Sequence, residues 1–283
     1  MIFVSSSCVK ADKIKDAVLR LAQNGFNNIE LSGGTNYYSG FEDDLVQLKE
    51  EYNLNYLIHN YFPPPQEHFV LNLASVNEEI LSNTLQHCKR AINLSEKLGI
   101  VKYGVHAGFL IDPRVNELGK RISSHALTNR DEAITIFCKA YSELKEYSKT
   151  VKIYIENNVV SQKNFQSFGL NPFLLTDYDS YIELKQYFNF NLLLDLAHLK
   201  VSCNTLGLDF HSQSIKLSAV SDYIHISDNE GKEDSNFGLR DNSDILSALL
   251  IGHSVETDYT LEVYDDLQII EKSIKILNAV LKT

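Results

Sequence analysis

The sequence predicts an α/β protein folded as one (β/α)8 barrel, and three observations predict it. Short segments rich in Ile, Leu, Val, Phe and Tyr alternate with longer amphipathic ones through eight repeats. The short segments lack a clean in-out alternation, as expected of parallel strands buried on both faces. The length, 283 residues, is close to the ~250 typical of such a barrel. An open doubly wound sheet is the alternative. Its glycine-rich phosphate loop is missing, because the first strand runs into Ser5-Ser6-Ser7-Cys8.

In order, the strands are read at residues 2–5, 28–31, 55–59, 103–106, 152–156, 191–195, 223–226 and 259–263. The first helix, 11–23, places Ile14, Val18 and Leu21 at helical spacing and stops at Asn24-Gly25. Helices follow at 43–52 and at 77–98, the latter ending at Gly99. The next, 130–148, sets Ile134, Phe137, Tyr141 and Leu144 on one stripe. Segments 179–188, 210–219, 241–250 and 267–281 complete the set. The irregular stretches are 60–67, stiffened by Pro63-Pro64-Pro65, then 108–129, 159–175 and 229–240. All follow strands, on the face where barrels of this kind build active sites.

Composition narrows the partners. With 44% apolar and 22% charged residues the chain can bury a large core. No apolar run approaches the ~20 residues of a membrane span. Met1-Ile2-Phe3-Val4-Ser5 has no basic leader and is read as a buried strand rather than a signal peptide. A net charge of −11 argues against nucleic acid as the main partner, since phosphate is met by clusters of Lys and Arg. Cys8, Cys88, Cys138 and Cys203 are scattered with no CxxC pair, so free thiols in a reducing, cytoplasmic compartment are expected.

The polar residues gather at one point of the repeat. His59 ends the third strand, His106 the fourth, Glu156 the fifth and Asp195 the sixth, with His198 one turn further on. His225 sits in the seventh strand, followed by Asp228, and Glu262 sits in the eighth. Glu30, ending the second, could reach the same pocket. One His at a strand end is more often a hydrogen-bonded structural residue. A carboxylate behind an apolar run, such as Asp195 after Leu192-Leu193-Leu194, must be paired, protonated or bound to metal. In a closed barrel these strand ends converge, and the converging carboxylates and imidazoles need a cation to coexist. Mixed His and carboxylate ligation suits zinc, manganese, iron or cobalt better than magnesium or calcium.

These residues sit in His59-Asn60, Val105-His106-Ala107-Gly108, Ile155-Glu156-Asn157-Asn158, Asp195-Leu196-Ala197-His198 and His225-Ile226-Ser227-Asp228, with Glu262 beyond. The combination resembles the xylose isomerase-like TIM-barrel superfamily over essentially the whole chain. That superfamily includes sugar and sugar phosphate isomerases and epimerases as well as apurinic-site endonucleases. In the isomerase branch, the resemblance implies that Glu156, Asp195, His225 and Glu262 hold one divalent metal. Glu156 and Glu262 would double as an acid/base pair, and His198 would contact substrate oxygens. His59, His106, Asp228 and Arg240 are carried as further substrate contacts. In the repair branch, the resemblance implies a three-zinc cluster in which His59, His106, His198 and Asp234 are added ligands. The chain departs from that branch at Asp234-Ser235-Asn236, where the pattern has Asp-x-His. Phe237-Gly238-Leu239-Arg240-Asp241 also replaces a glycine-rich continuation.

The function expected is a metal-dependent isomerase or epimerase of a sugar, sugar phosphate or related polyol derivative. Zinc, manganese or cobalt would be its cofactor. Three alternatives stay open: a zinc phosphodiesterase of the apurinic-site type, a sugar-binding barrel without catalysis, and a lyase or dehydratase that shares the first proton abstraction. Arg114, Lys120, Arg121 and His125 are either phosphate contacts or a solvated loop. Phe62, Phe165, Phe168 and Phe173 are either an apolar wall over the substrate or packing. The partner expected is a small sugar rather than nucleic acid or membrane, and a homodimer stays open.

Overall fold

The short apolar segments have too few residues to be stable alone and must pair edge to edge. In the computed structural model of the chain, which describes residues 1–117, 120–123, 126–252 and 256–282, they do so as a closed ring. The strands are β1 (Ile2–Ser5), β2 (Asn28–Leu31), β3 (Asn55–His59), β4 (Lys102–His106), β5 (Lys152–Glu156), β6 (Asn191–Asp195), β7 (Tyr223–Ile226) and β8 (Asp258–Leu261). Each pairs in parallel with its successor, and β8 returns to β1. The predicted (β/α)8 barrel is the observed fold. Only two strand reads shift: β4 starts at Lys102, and β8 ends at Leu261, so Glu262 lies just past the ladder.

Around the ring run α1 (Ile14–Gln23), α2 (Phe41–Tyr52), α3 (Glu78–Leu98), α4 (Arg130–Tyr147), α5 (Gln162–Phe168), α6 (Tyr178–Tyr187), α7 (Leu196–Leu206), α8 (Phe210–Ser218), α9 (Asp244–Gly252) and α10 (Leu267–Leu281). Local chemistry sets their ends. Asn77 accepts from Glu79 N and Ile80 N to start α3, and Gly99 closes it at φ 67°. Asp177 and Ser180 form a reciprocal capping box on α6. Several helices differ from the sequence reading: α2 begins at Phe41 rather than residue 43, and α9 runs Asp244–Gly252 rather than 241–250. The first, α1, begins at Ile14 rather than residue 11. The short α5 sits within an expected loop, between the Ser161 cap and Gly169. Helix α7 was not anticipated, because the apolar run passes from β6 into it without a turn residue. Asp195 both ends the strand and caps the helix, accepting from His198 N at 2.6 Å.

The main core lies between strands and helices and includes Ile14, Leu45, Ile92, Phe137, Leu194 and Leu277, each fully buried. Phe62 joins it with no exposed surface. A second cluster, Ile111, Ile122, Val160 and Phe173 with Phe165 and Phe168 against it, sits under the loops after β4 and β5. At the other end of the barrel Lys102 closes the floor. Its Nζ lies 5.2 Å over the Tyr154 ring, 5.5 Å over Tyr223, and 3.0 Å from Asp258 Oδ2. No helix among the described residues is long and apolar enough to cross a membrane.

Gly104 in β4 shows how closely the barrel interior is filled. A Cβ there would stand 2.7 Å from Leu193 Cδ2 and 3.1 Å from His59 Cδ2. Gly104→Ala is therefore expected to cost about 1–3 kcal/mol of stability, read as a lower denaturant midpoint. A midpoint equal to wild type would show that the interior yields more easily than this packing implies.

Candidate metal centre

Seven of the eight strands deliver a titratable side chain to the C-terminal end of the barrel, at or next to their last residue. Register puts them at one height: His106 pairs with Glu156 across β4 and β5, and Asp195 with His225 across β6 and β7. Glu156 stands in the middle and has no exposed surface. Its Oε2 is 2.7 Å from His59 Nε2 and 3.1 Å from His106 Nδ1. Its Oε1 is 3.4 Å from His225 Nδ1 and 3.7 Å from His198 Nδ1. His225 Nδ1 is equally 3.4 Å from Glu262 Oε2. Asp195, 1% exposed, has Oδ2 3.9 Å from His198 Nδ1.

Outer partners fix which imidazole nitrogens are free. His198 Nδ1 lies 2.9 Å from the carbonyl of Asn157, which can only accept, so that nitrogen carries the proton. Its Nε2 then faces Asp234 Oδ2 at 3.2 Å. His225 Nε2 lies 3.0 Å from Glu30 Oε2, which leaves Nδ1 turned to Glu156 and Glu262. Glu30 itself is anchored by Thr260 Oγ1 at 2.9 Å, Ser32 Oγ at 3.3 Å and the Tyr223 hydroxyl.

The charges are strongly coupled. Burial works against ionising Glu156, but the nearby His106 and His59, with the hydrogen bond from His59, hold it well below the usual carboxylate range. Burial likewise opposes ionised Glu30, and His225 beside it brings it below its ordinary value. Burial would keep the imidazoles neutral, yet Glu156 raises His59, Asp195 and Asp234 raise His198 far above its usual value, and Glu30 and Glu262 do the same for His225. His106 goes the other way, burial taking it down to about 4. Burial, with Asp234 and Glu156 adding to it, pushes Asp195 up to about 7.

Four buried polar atoms of this cluster have no hydrogen-bond partner: Glu156 Oε1, His225 Nδ1, His106 Nδ1 and Asp234 Oδ1. Buried polar groups are otherwise almost always paired. Unpaired ligand atoms converging on one space fit a missing cation. Three overlapping groups have ligand atoms within 4.8 Å of one another: Glu30, His59, His225 and Glu262; His59, His106 and Glu156; and Glu156, Asp195 and His198. Buried Glu, His and Asp side chains here could therefore hold a metal. Above them opens a cavity of about 600 Å³ lined by His59, His106, Glu156, His198, Asp234 and Glu262.

The structure thus brings Glu156, Asp195, His225, Glu262, His59, His106, His198 and Asp234 into one cluster. Asp228 and Arg240, expected as substrate contacts, lie outside this cluster. Asp228 is fully buried and takes Arg240 Nε on Oδ2 at 3.0 Å, so the pair compensates its own charge, and neither residue lines the cavity. Glu30 proves integral to the cluster. Asn157 was missed: its Oδ1 accepts from Asp195 N at 2.7 Å, and its Nδ2 donates to Asp195 O at 3.0 Å. Its one sequence signal was an amide pair directly after a strand-end Glu. Lys120 and Arg121 line a neighbouring cavity, Arg114 is exposed, and His125 lies outside the described residues.

Residues 18–261 match the family model described as xylose isomerase-like TIM barrel. No curated protein sequence matches the chain. Among solved structures it is similar to a D-tagatose 3-epimerase-like protein at TM-score 0.75 and 20% identity, covering 99% of this chain and 97% of that one. It is also similar to an L-ribulose 3-epimerase at TM-score 0.64 and 16% identity, covering 97% and 86%. Endonuclease IV from Thermus thermophilus matches at TM-score 0.63 and 12% identity, covering 99% and 98%. At these identities the likenesses establish the fold, and the family match spans most of the sequence. The chain belongs to the xylose isomerase-like TIM-barrel family.

Proposed function

We propose that the protein is a divalent-metal-dependent isomerase or epimerase acting on a sugar, sugar phosphate or related polyol derivative. One observation carries this reading. Glu156 Oε1 and Glu262 Oε2 each lie 3.4 Å from His225 Nδ1, with Glu156 Oε1 and His225 Nδ1 both unpartnered. Two carboxylates beside one ligand nitrogen suit an acid/base pair in which one removes a proton from a substrate carbon and the other returns it. The fold likeness to proteins named as sugar epimerases supports the same reading.

Glu156, Asp195, His225 and Glu262 would hold the ion. When bound, a zinc, manganese or cobalt ion supplies polarisation of a substrate carbonyl and acidifies the neighbouring C–H. The chain's own residues do the rest. One of Glu156 and Glu262 takes the C–H proton, and the other delivers a proton to the same or the adjacent carbon. His198, its Nδ1 held by Asn157, presents Nε2 to the cavity for a substrate oxygen. His59 and His106, on the opposite side of Glu156, orient the remaining hydroxyls.

A second reading has its own observation. His59, His106 and Glu156 form a ligand group of their own, as a metal-dependent phosphodiesterase with more than one ion would need. Against it stands Asn236. Its Oδ1 takes the Ser227 hydroxyl at 3.1 Å and its Nδ2 donates to Asp234 Oδ2 at 3.3 Å, so it turns a donor rather than an imidazole-like ligand nitrogen toward Asp234.

Metal content by plasma mass spectrometry separates these readings. One ion per chain, lost in Glu156→Gln and Asp195→Ala, is the expected result. Two or three zinc ions would favour the phosphodiesterase, and none after reconstitution would leave a sugar-binding barrel. Metal uptake near neutral pH is also expected to release protons, with affinity falling as pH falls. The sign follows from two of the proposed ligands, His225, raised well above its usual value and so protonated without metal, and Asp195, pushed up to about 7, whereas an ion takes the neutral ring and the ionised carboxylate. Calorimetric titration in buffers of different ionisation heat reads the released protons, and a heat independent of buffer would contradict this. Among sugars tested for solvent deuterium incorporation at carbon, a substrate should lose exchange by about 100-fold or more in Glu156→Gln and in Glu262→Gln. Full exchange in either variant would remove that carboxylate from the acid/base pair.

A further inference from the structure

The loops after β4 and β5 enclose a second cavity of about 480 Å³. It shares His106, His198 and Asp234 with the metal-side cavity, so the two spaces meet at the cluster. Its lining is mixed, with Lys120, Arg121 and the paired Lys163 and Glu233 on part of it. Leu71, Phe109, Ile122, Val159 and Phe173 give it an apolar wall. Phe173 and Ile122 are each 5% exposed and belong to the separate hydrophobic cluster beneath these loops.

Hydrogen bonds hold this wall in place. Phe109 and Phe173 are bridged antiparallel, with ring centroids 5.5 Å apart. The Asn72 amide donates to Phe109 O at 3.2 Å and to Ile111 O at 3.1 Å. Asn164 Oδ1 accepts from Ile122 N at 2.9 Å, and the Asn158 amide donates to Leu174 O at 2.8 Å. Three buried asparagines thus fasten the two loops to each other and to the loop before α3. A cavity fixed this way needs little reordering to receive a ligand.

We propose that the substrate has two parts: a sugar portion at the metal cluster and an apolar, ring-sized substituent in this second cavity. The substrate is then an aglycone-bearing sugar derivative rather than a free monosaccharide. The proposal rests on the isomerase reading of the metal-side cavity and deepens it. Sugar hydroxyls pressed against Leu71, Phe109 and Phe173 would lose water without gaining partners. A ring there gains from burial of apolar surface and from the aromatic edges around it. The shared residues place the junction between the two parts beside His106 and His198.

The test compares two ligands that differ only in the substituent. Ligand-observed NMR titration of the full chain with methyl and phenyl β-D-glucopyranoside is expected to show the phenyl compound binding about tenfold tighter or more. Val159→Asp puts a charge into the apolar wall at a half-buried position outside both hydrophobic clusters, and it should remove most of that preference. Equal affinity for the two compounds, no detectable binding of the phenyl compound, or a preference that survives Val159→Asp would overturn the proposal. Deuterium exchange by the wild-type protein is measured in parallel on free sugars and on a phenyl glycoside oxidised to a ketone at one ring carbon. Exchange without a ring preference overturns the two-part substrate alone, and a ring preference with exchange into neither the free sugars nor the keto glycoside overturns the isomerase reading alone.

Discussion

A carboxylate with no exposed surface can stay ionised only if charge and hydrogen bonds replace its water, and Glu156 is such a carboxylate. Its replacements come from His59 on β3, His106 on β4, His198 on α7 and His225 on β7. No local segment of the chain could supply that set. The four imidazoles meet Glu156 only because the sheet closes and its register brings the strand ends to one height. Closure of the barrel and electrostatic balance at its end are therefore one condition. The packing around Gly104 and the Lys102 floor matter to the site for that reason, although neither belongs to it.

Around the cluster lies a layer of residues that holds the ligands at defined angles. Glu30 orients His225 through Nε2, and Tyr223 and Thr260 orient Glu30 in turn. Asn157 grips Asp195 by both backbone groups and His198 by its own carbonyl. Asp195 caps α7, so the start of that helix and the position of His198 are set by the same side chain. Such outer partners choose the tautomer as well as the position of an imidazole ligand. Here they turn His225 Nδ1 toward Glu156 and Glu262, and His198 Nε2 toward Asp234, the nitrogens a metal or a substrate oxygen would use.

Much of this was legible in the sequence. The eight strands fell where alternation of apolar segments put them, because a strand buried on both faces leaves a short, dense apolar signature. The cluster residues were legible because each is a charged side chain at the end of such a signature, where burial without a partner would be untenable. What escaped has a physical explanation. Leu196–Leu206 was hidden because helix and strand share one apolar run with no turn between them. Asn157 and Asn158 carry no charge, and their value lies in backbone groups from residues 107, 108, 174 and 195 that only the fold brings near. Asp228 and Arg240 were drawn toward substrate by sequence position alone. Their mutual compensation depends on a contact across the loop after β7 that spacing does not reveal.

The two oxygens of Glu156 divide the centre into two halves. Oε2 faces His59 and His106, which lie on strands before it, while Oε1 faces His225 and His198, which come after it. An ion on the Oε1 side has Asp195, His225 and Glu262 to complete its shell. One on the Oε2 side has only the two imidazoles besides the shared carboxylate, the first of them already donating or accepting at 2.7 Å. Carboxylates attract a divalent cation more strongly than neutral imidazoles do, so a first ion would favour the Oε1 side. His59 and His106 are then left to substrate unless the ligand brings a second ion's worth of negative charge with it. A neutral sugar brings none, and a phosphodiester brings one for every phosphate. The choice between proton transfer on a sugar and attack on a phosphate thus comes down to which charge balances the His59–His106 side, and Glu156, ionised and shared by both halves, is where the two chemistries compete.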